Sequence, residues 1–589
     1  MVLGGTGVLT SGVAGASFNG GLSNAATVFV SADTTFNSAI TNTASFTYQG
    51  TVNNSFANSG TVTLNNNATI TGLLANSGRI NVTNGTLRLL TAPTQNGTIS
   101  ITLNNTLSIT PAWNNAGSLL FSGGYLVGGT TTNTASGQIS GFGTLSNLLV
   151  NLGTVVASNG TLHLVNAPLQ NGVVSVASAG TLDVAQAWRN GGALNLSGGT
   201  VIGGTLTNAG SISGFGTFSP SVINNSGATI TASGGGTLTL TAFPLQNGIV
   251  NILGTLNVAS AWTNSISGTV QVSGGTLTGG SLANLGTVKG FGAVNPNITN
   301  TGTILAGVAG QTLRLNGSTF VNLASGVVTA NTGNIVVSGA FTNAGTLTMI
   351  HSIGTFAGAV VNSGAWVTDP TTNVFQDTYT VTSSGFIQSS AGDVYIFTNS
   401  ATTAGSFINV STNKAQYNTL AGDFVFANTL GVTQVFAAAG HDLGPVTTTA
   451  TNQLQVFVPD PFSLPEYSNN FALGTLETSS FTTVRVDDAF ITGGPGTNDN
   501  LEAALYLNNL FMGTGSLLLI SSNVQVYFIT SNNWSLANIQ LAGNPNYDQL
   551  FNGIHQLVVV PEPAIVLLWV SSIVTVYAAR RRNARSAKS

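Results

Sequence analysis

Asn58-Ser-Gly-Thr61-Val-Thr-Leu64 is followed, 18 residues on, by Asn76-Ser-Gly-Arg79-Ile-Asn-Val82. In both, an Asn-x-Gly turn signal leads into a short strand of alternating apolar and polar residues. The signal returns at Asn115, Asn151, Asn190, Asn208, Asn225, Asn284, Asn300, Asn343 and Asn362, mostly at intervals near one, two or three times 18–20 residues. Self-similarity at a short fixed period is the mark of a solenoid. In a parallel β-helix each coil pairs with the next through backbone hydrogen bonds, about 4.8 Å apart. Side chains alternate inward and outward along each strand. Val, Ile and Thr suit such strands, while Asn and Gly tolerate left-handed backbone at corners. Stacked Asn side chains can also hydrogen-bond from coil to coil.

A longer repeat lies over the short one. Trp113, Trp188 and Trp262, each preceded by Ala, are 75 and 74 residues apart. Gln-Asn-Gly begins at Gln95, Gln170 and Gln246, and Gly-Phe-Gly is centred on Phe142, Phe215 and Phe291. Three super-repeats of about 75 residues, four coils each, therefore run from roughly 85 to 310. We read the three tryptophans as a core row rather than an outward one that would stack on sugar rings.

Charge confirms a neutral, polar, β-rich chain. Charged residues are 5% and apolar ones 42% of 589 residues, against a usual charged share near 25%. Disorder would need high charge and few apolar residues. With no cysteine there are no disulfides or thiolate sites. Residues 1–368 hold two acids, Asp33 and Asp183; the other 14 acids begin at Asp369, which marks a domain boundary near 366. Only seven bases precede residue 580, too few for the basic stripe of a nucleic-acid binder.

From 369 to 557 the turn signal fades, but strand-like runs persist, such as Asp423-Phe-Val-Phe and Val524-Gln-Val-Tyr-Phe. Short strands with turns between them suggest a sandwich or cap, one that would shield the open solenoid edge. The chain then changes character. Val560-Pro561-Glu562-Pro563 leads into an uncharged apolar run, 564–579, followed by Arg580, Arg581, Arg582, Arg585 and Lys588. As a helix the run would be about 24 Å long, slightly short of a bilayer core, with arginine snorkelling making up part of the difference. The basic cluster acts as the membrane stop and stays cytoplasmic. The expected fold is all-β: a right-handed parallel β-helix (1–365), a smaller β-sandwich-like or capping domain (366–557), and a single C-terminal transmembrane helix in a tail at 558–589.

That tail resembles the PEP-CTERM sorting domain of Gram-negative bacteria. The resemblance implies that Pro561, Glu562 and Pro563 are read by an exosortase-type processing enzyme, and that the host makes exopolysaccharide. Residues 502–527 look like a module often placed just before such tails. The 18–20-residue periodicity resembles the β-helix repeats of bacterial autotransporters and adhesins. An exported chain carries a signal peptide with a basic n-region; the first base here is Arg79, so we expect the true N-terminus upstream of Met1.

Candidate chemistry is sparse. Glycoside hydrolysis needs two carboxylates about 5–9.5 Å apart. Asp33 and Asp183 are about eight coils apart, and only Arg189 and His163, one coil back, stand near Asp183. Asp487, Asp488, Asp499 and Glu502 form the richest acidic stretch, read as a solvated turn with Ca²⁺ as the alternative. His441-Asp442 reads as a surface turn, and His163, His351 and His555 as structural. The expectation is an exported structural or adhesive surface protein, not an enzyme. It passes through the inner membrane to the cell envelope, cell surface or exopolysaccharide matrix, without nucleic acid or a cofactor. The alternative is an extracellular polysaccharide lyase or hydrolase with its site in 369–557.

Overall fold

The computed structural model describes residues 2–3, 8–390, 392–399, 405–409, 423–427, 433–438, 473–486, 503–520, 524–532, 539–541 and 558–559. Their regular elements are all strands, paired in parallel, and form a β-solenoid of the right-handed type with about 20 turns. Two compact units divide the chain, Met1–Val288 and Lys289–Ser589.

One coil of the first unit shows how the sequence is spent. Strand Phe56–Asn58 points Phe56 and Asn58 inward and Ala57 outward. Ser59 and Gly60 turn the corner. Strand Thr61–Ile70 then buries Val62 and Leu64, swells outward at Asn66 and Asn67, and buries Ala68 and Ile70. The next coil stacks in register, Phe56 beside Leu74, Asn58 beside Asn76 and Val62 beside Ile80. Like residues thus meet like. One aliphatic column continues through Ile80, Ile99, Leu119, Ile139 and Val155, all within 1% of full burial. A one-residue slip would turn every such column to solvent, so the period-2 pattern fixes the register.

Glycine at the corner answers a close approach of backbones. A Cβ on Gly97 would lie 2.1 Å from the carbonyl oxygen of Gly78, and one on Gly78 as near to that of Gly60. The Gly-Phe-Gly motifs answer a different need. Gly141 and Gly143 have φ of 107° and 151°, and Gly214 and Gly216 of 106° and 145°. These angles swing the half-buried rings of Phe142 and Phe215 out over the neighbouring coil. There a Cβ on Gly160 or Gly236 would strike the ring at 3.0 or 2.5 Å. Trp113, Trp188 and Trp262 are only 3–4% exposed, so the tryptophan row is core.

The second unit keeps the coil and changes the filling. Phe356, Phe375, Phe397 and Phe426 stack in register at 5.3, 5.3 and 4.9 Å. Trp366 is fully buried among Phe341, Phe356, Phe375 and Tyr379. Offset aromatic stacks of this kind add to the area they bury. The described strands between 366 and 557 pair in parallel with strands of neighbouring coils, and Val558–Val559 follows beside Tyr527 and Phe528. No sandwich is seen in them. The apolar run 564–579 lies outside the described residues. Among those described, no helix is long and apolar enough to cross a membrane.

The corner packing leads to a direct test. Gly97→Ala should destabilise the protein by about 1–3 kcal/mol, the usual cost of overpacking. Denaturant unfolding of full-length protein checks this, with Asn96→Ala at the adjoining exposed position expected to cost far less.

Candidate functional site

The most extensive constellation of functional groups is inside the solenoid. Fifteen amide side chains of the first unit, from Asn24 to Asn284, occupy one corner of successive coils and are at most 2% exposed. Asn24 Nδ2 donates to Asn42 Oδ1 at 2.7 Å, Asn42 to Asn58 at 2.8 Å, Asn58 to Asn76 at 2.7 Å, and Asn76 to Gln95 Oε1 at 2.8 Å. The same amide nitrogens also donate to backbone carbonyls. Asn42 reaches Ala44 O at 3.1 Å, and Asn133 reaches Gly137 O and Thr154 O, both at 3.1 Å. The second unit has its own run, Asn300 to Asn322, Asn343 and Asn362, at 2.7 Å throughout.

The ladder pauses wherever Gln replaces Asn. With one more methylene, the amides of Gln95, Gln170 and Gln246 swing to Gly97 O, Gly172 O and Gly248 O of their own coil, at 2.8–2.9 Å. No donor then reaches the next residue up. Asn115 Oδ1, Asn190 Oδ1 and Asn264 Oδ1 are buried without a partner, and so are the indole N–H groups of Trp113, Trp188 and Trp262. The 75-residue repeat is therefore a block of three Asn and one Gln, opened by a Trp.

Sequence reading took Asn-x-Gly as a turn signal with left-handed backbone. The structure corrects the reason. Among non-glycine residues only Asn104, Asn159, Thr332, His351 and Phe481 have positive φ in the described chain, and none is a ladder residue. Asn is present for its side chain. Asn225, one of the eleven signals, is not on the ladder; Asn224 is. The ladder positions Asn24, Asn42, Asn133, Asn264 and Asn322 have no Asn-x-Gly. What they share is a place at the end of a short strand with a buried residue two positions earlier: Leu22, Ile40, Thr131, Trp262 and Phe320.

Of the expected polar residues, the structure unites one pair. His163 Nδ1 and Asp183 Oδ2 are 2.6 Å apart on adjacent coils in register, on an outer face between Thr144 and Ile202. So His163 has a partner, and its 20-residue spacing from Asp183 is one coil. Such a partly exposed pair contributes up to about 1 kcal/mol. Arg189 is on a different strand, exposed between Leu169 and Thr207. Asp33 accepts from Gln49 Nε2 at 3.0 Å, far along the ladder from Asp183. Asp487, Asp488, Asp499, Glu502, His441, Asp442, His555, Pro561, Glu562, Pro563, Arg580, Arg581 and Arg582 lie outside the described residues. Among those described, no three His, Cys, Asp or Glu side chains are placed to share a metal ion.

One buried acid escaped sequence reading. Asp393 in the second unit is 0% exposed. Its Oδ1 accepts from Thr371 N–H at 2.7 Å and Thr371 Oγ1 at 3.1 Å. Its Oδ2 accepts from Thr368 Oγ1, Ser389 Oγ and Ser390 N–H at 2.8, 2.9 and 2.6 Å. A carboxylate removed from water needs this many donors. Tyr395, hydrogen-bonded to Thr368 at 2.8 Å, has its pKa pushed well above the ordinary value by burial and then by the Asp393 charge. Burial alone does the same to Tyr48 in the first unit. Compared with known proteins, the chain matches no family model, no characterised protein and no solved structure.

Two outcomes follow from these geometries. Asn133→Ala removes a donor to Asn151 and an acceptor of Asn115, leaving buried groups unpaired at about 1–3 kcal/mol each. Equilibrium unfolding should show a loss of several kcal/mol, and a loss below 1 kcal/mol would contradict the ladder. For the tyrosines, native and unfolded chains are both neutral below pH 10. Above it the unfolded phenols ionise first, so stability falls as pH rises past 10. Absorbance titration should show Tyr48 and Tyr395 ionising only as the protein unfolds.

Proposed function

We propose that this chain is an exported structural or adhesive protein of the bacterial surface, delivered through its C-terminal tail and working in the cell envelope or exopolysaccharide matrix. The observation that carries the reading is the almost uncharged outer face of the ladder-stabilised coils in the first unit, where the sequence has only Asp33, Arg79, Arg88, Asp183 and Arg189. From Thr161 through Thr181, Thr200, Thr217, Thr239 and Asn257 to Thr278, one outer column places a hydroxyl or amide on seven successive coils. A surface of that kind offers many weak hydrogen bonds to a neutral polymer and little long-range attraction to a charged one. An interior held by amides and aliphatic columns needs neither cysteine nor metal, which suits a protein folding outside the cytoplasm. The tail adds the route: a Pro-Glu-Pro motif for an exosortase-type enzyme, an apolar span, and the arginine stop.

Intact mass of the protein recovered from its native cells tests the proposal. A chain ending near Pro561, with or without added glycan mass, is the expected result. A mass that retains Ala564 to Ser589 would overturn exosortase processing, and recovery from the cytosol alone would overturn export.

A further inference from the structure

We infer that the first unit pairs face to face with a second copy of this chain, the two solenoids running antiparallel, through the outer side of the ladder corner. Each ladder strand turns one residue outward just before its buried amide. In the middle of the unit this outward column reads Val150, Leu169, Arg189, Thr207, Ile223 and Leu245 on six successive coils. Leu169 is 56% and Leu245 39% exposed. Leu148 and Leu152, 38% and 47% exposed, widen the apolar surface beside Val150. Other outward columns are built differently: Ser175, Asn195, Ser213, Thr231 and Asn251, on the same stretch of coils, are all polar.

Contiguous exposed apolar surface marks an interaction site, and the order of the column identifies the partner. Read in either direction, the six are two apolar residues, two polar, two apolar. A two-fold axis along the strands, between Arg189 and Thr207, sets Val150 against Leu245 of the second copy, Leu169 against Ile223 and Arg189 against Thr207. The column is thus complementary to itself, as an isologous interface requires. Parallel solenoids would also match apolar with apolar, but they set Arg189 against Arg189, and like charges directly opposite are unfavourable. The column has one cation and no acid, so it needs no oppositely charged partner. A Cβ on Gly191 would lie 3.2 Å from Arg189 Nη1. The guanidinium therefore leans to the corner, at the rim of the pairing, where polar groups keep their water.

Size sets the strength. Six coils span about 24 Å along the axis, and a face three residues wide is about 10 Å across. That is well below the roughly 800 Å² per partner of a standard interface. Pairing is therefore weak and reversible, with a Kd of about 10⁻⁴ M, and counts where copies are crowded together. It does not rest on export or on tail processing.

The chain has no cysteine, so single introduced thiols test the geometry. Thr132 and Thr263 continue the column by one coil at either end, and the two-fold axis sets one against the other. Full-length Thr132→Cys and Thr263→Cys proteins in mild detergent are treated with a bis-maleimide reaching about 10 Å, the spacing of packed sheets. They should cross-link when mixed and not when alone. Self-cross-linking of each protein alone would overturn the antiparallel pairing, and no cross-linking would overturn the interface. Sedimentation equilibrium of the wild type should show a reversible dimer. Leu169→Asp should raise its Kd about tenfold or more, because symmetry removes two buried leucines with one substitution. Its melting temperature should hold, since the side chain is exposed. Thr207→Arg, which sets a cation against Arg189 of the second copy, should weaken the dimer likewise. A dimer undiminished in both variants overturns the proposal.

Discussion

A side-chain amide sealed from water costs free energy for every N–H or oxygen left without a partner. Here the partner is the same residue one turn along. That repeated bond does more than add stability. It measures each coil, because the amides meet only if intervening residues return the chain to the same corner. Spacings between bonded ladder residues vary from 16 to 22, yet the ladder corner stays aligned. The variation is absorbed elsewhere, in bulges such as Asn65–Asn67 and the Gly234–Gly236 corner beneath Phe215. The aliphatic columns fill a cross-section whose register the amides have already set.

Much of the fold was legible in the sequence, because a solenoid writes its period directly into the chain. Coil length, the four-coil block and the buried tryptophans could all be read from Asn-x-Gly, Gln-Asn-Gly and Trp spacing. The role of Asn was misread in part, since local turn chemistry and a buried ladder favour the same residue. Gln95, Gln170 and Gln246 were the clue: glutamine has no special ease with left-handed backbone, so its place in the same corner points to the amide. Asp393 was not legible at all. Its donors, Thr368, Thr371, Ser389 and Ser390, come from two coils. Nothing in an isolated Ser-Ser-Ala-Gly-Asp stretch shows that the acid points inward.

The candidate chemistry was legible only as spacing. His163 and Asp183 could be paired once the coil length was known, whereas Arg189, only six residues from Asp183, went to another face. Proximity in a solenoid is measured in whole turns, so 20 residues can be closer than six.

The glutamine pauses have a consequence for how such a chain changes length. A ladder of identical bonds has no natural joint, and cutting it anywhere leaves one donor and one acceptor stranded. Here the joints already exist, after Gln95, Gln170 and Gln246, where no bond crosses to the next amide. A whole block, from one Trp to the next Gln, can be duplicated or deleted with every amide bond within the remaining blocks intact. The sequence between 113 and 246, two such blocks in succession, is what growth by that route would leave behind.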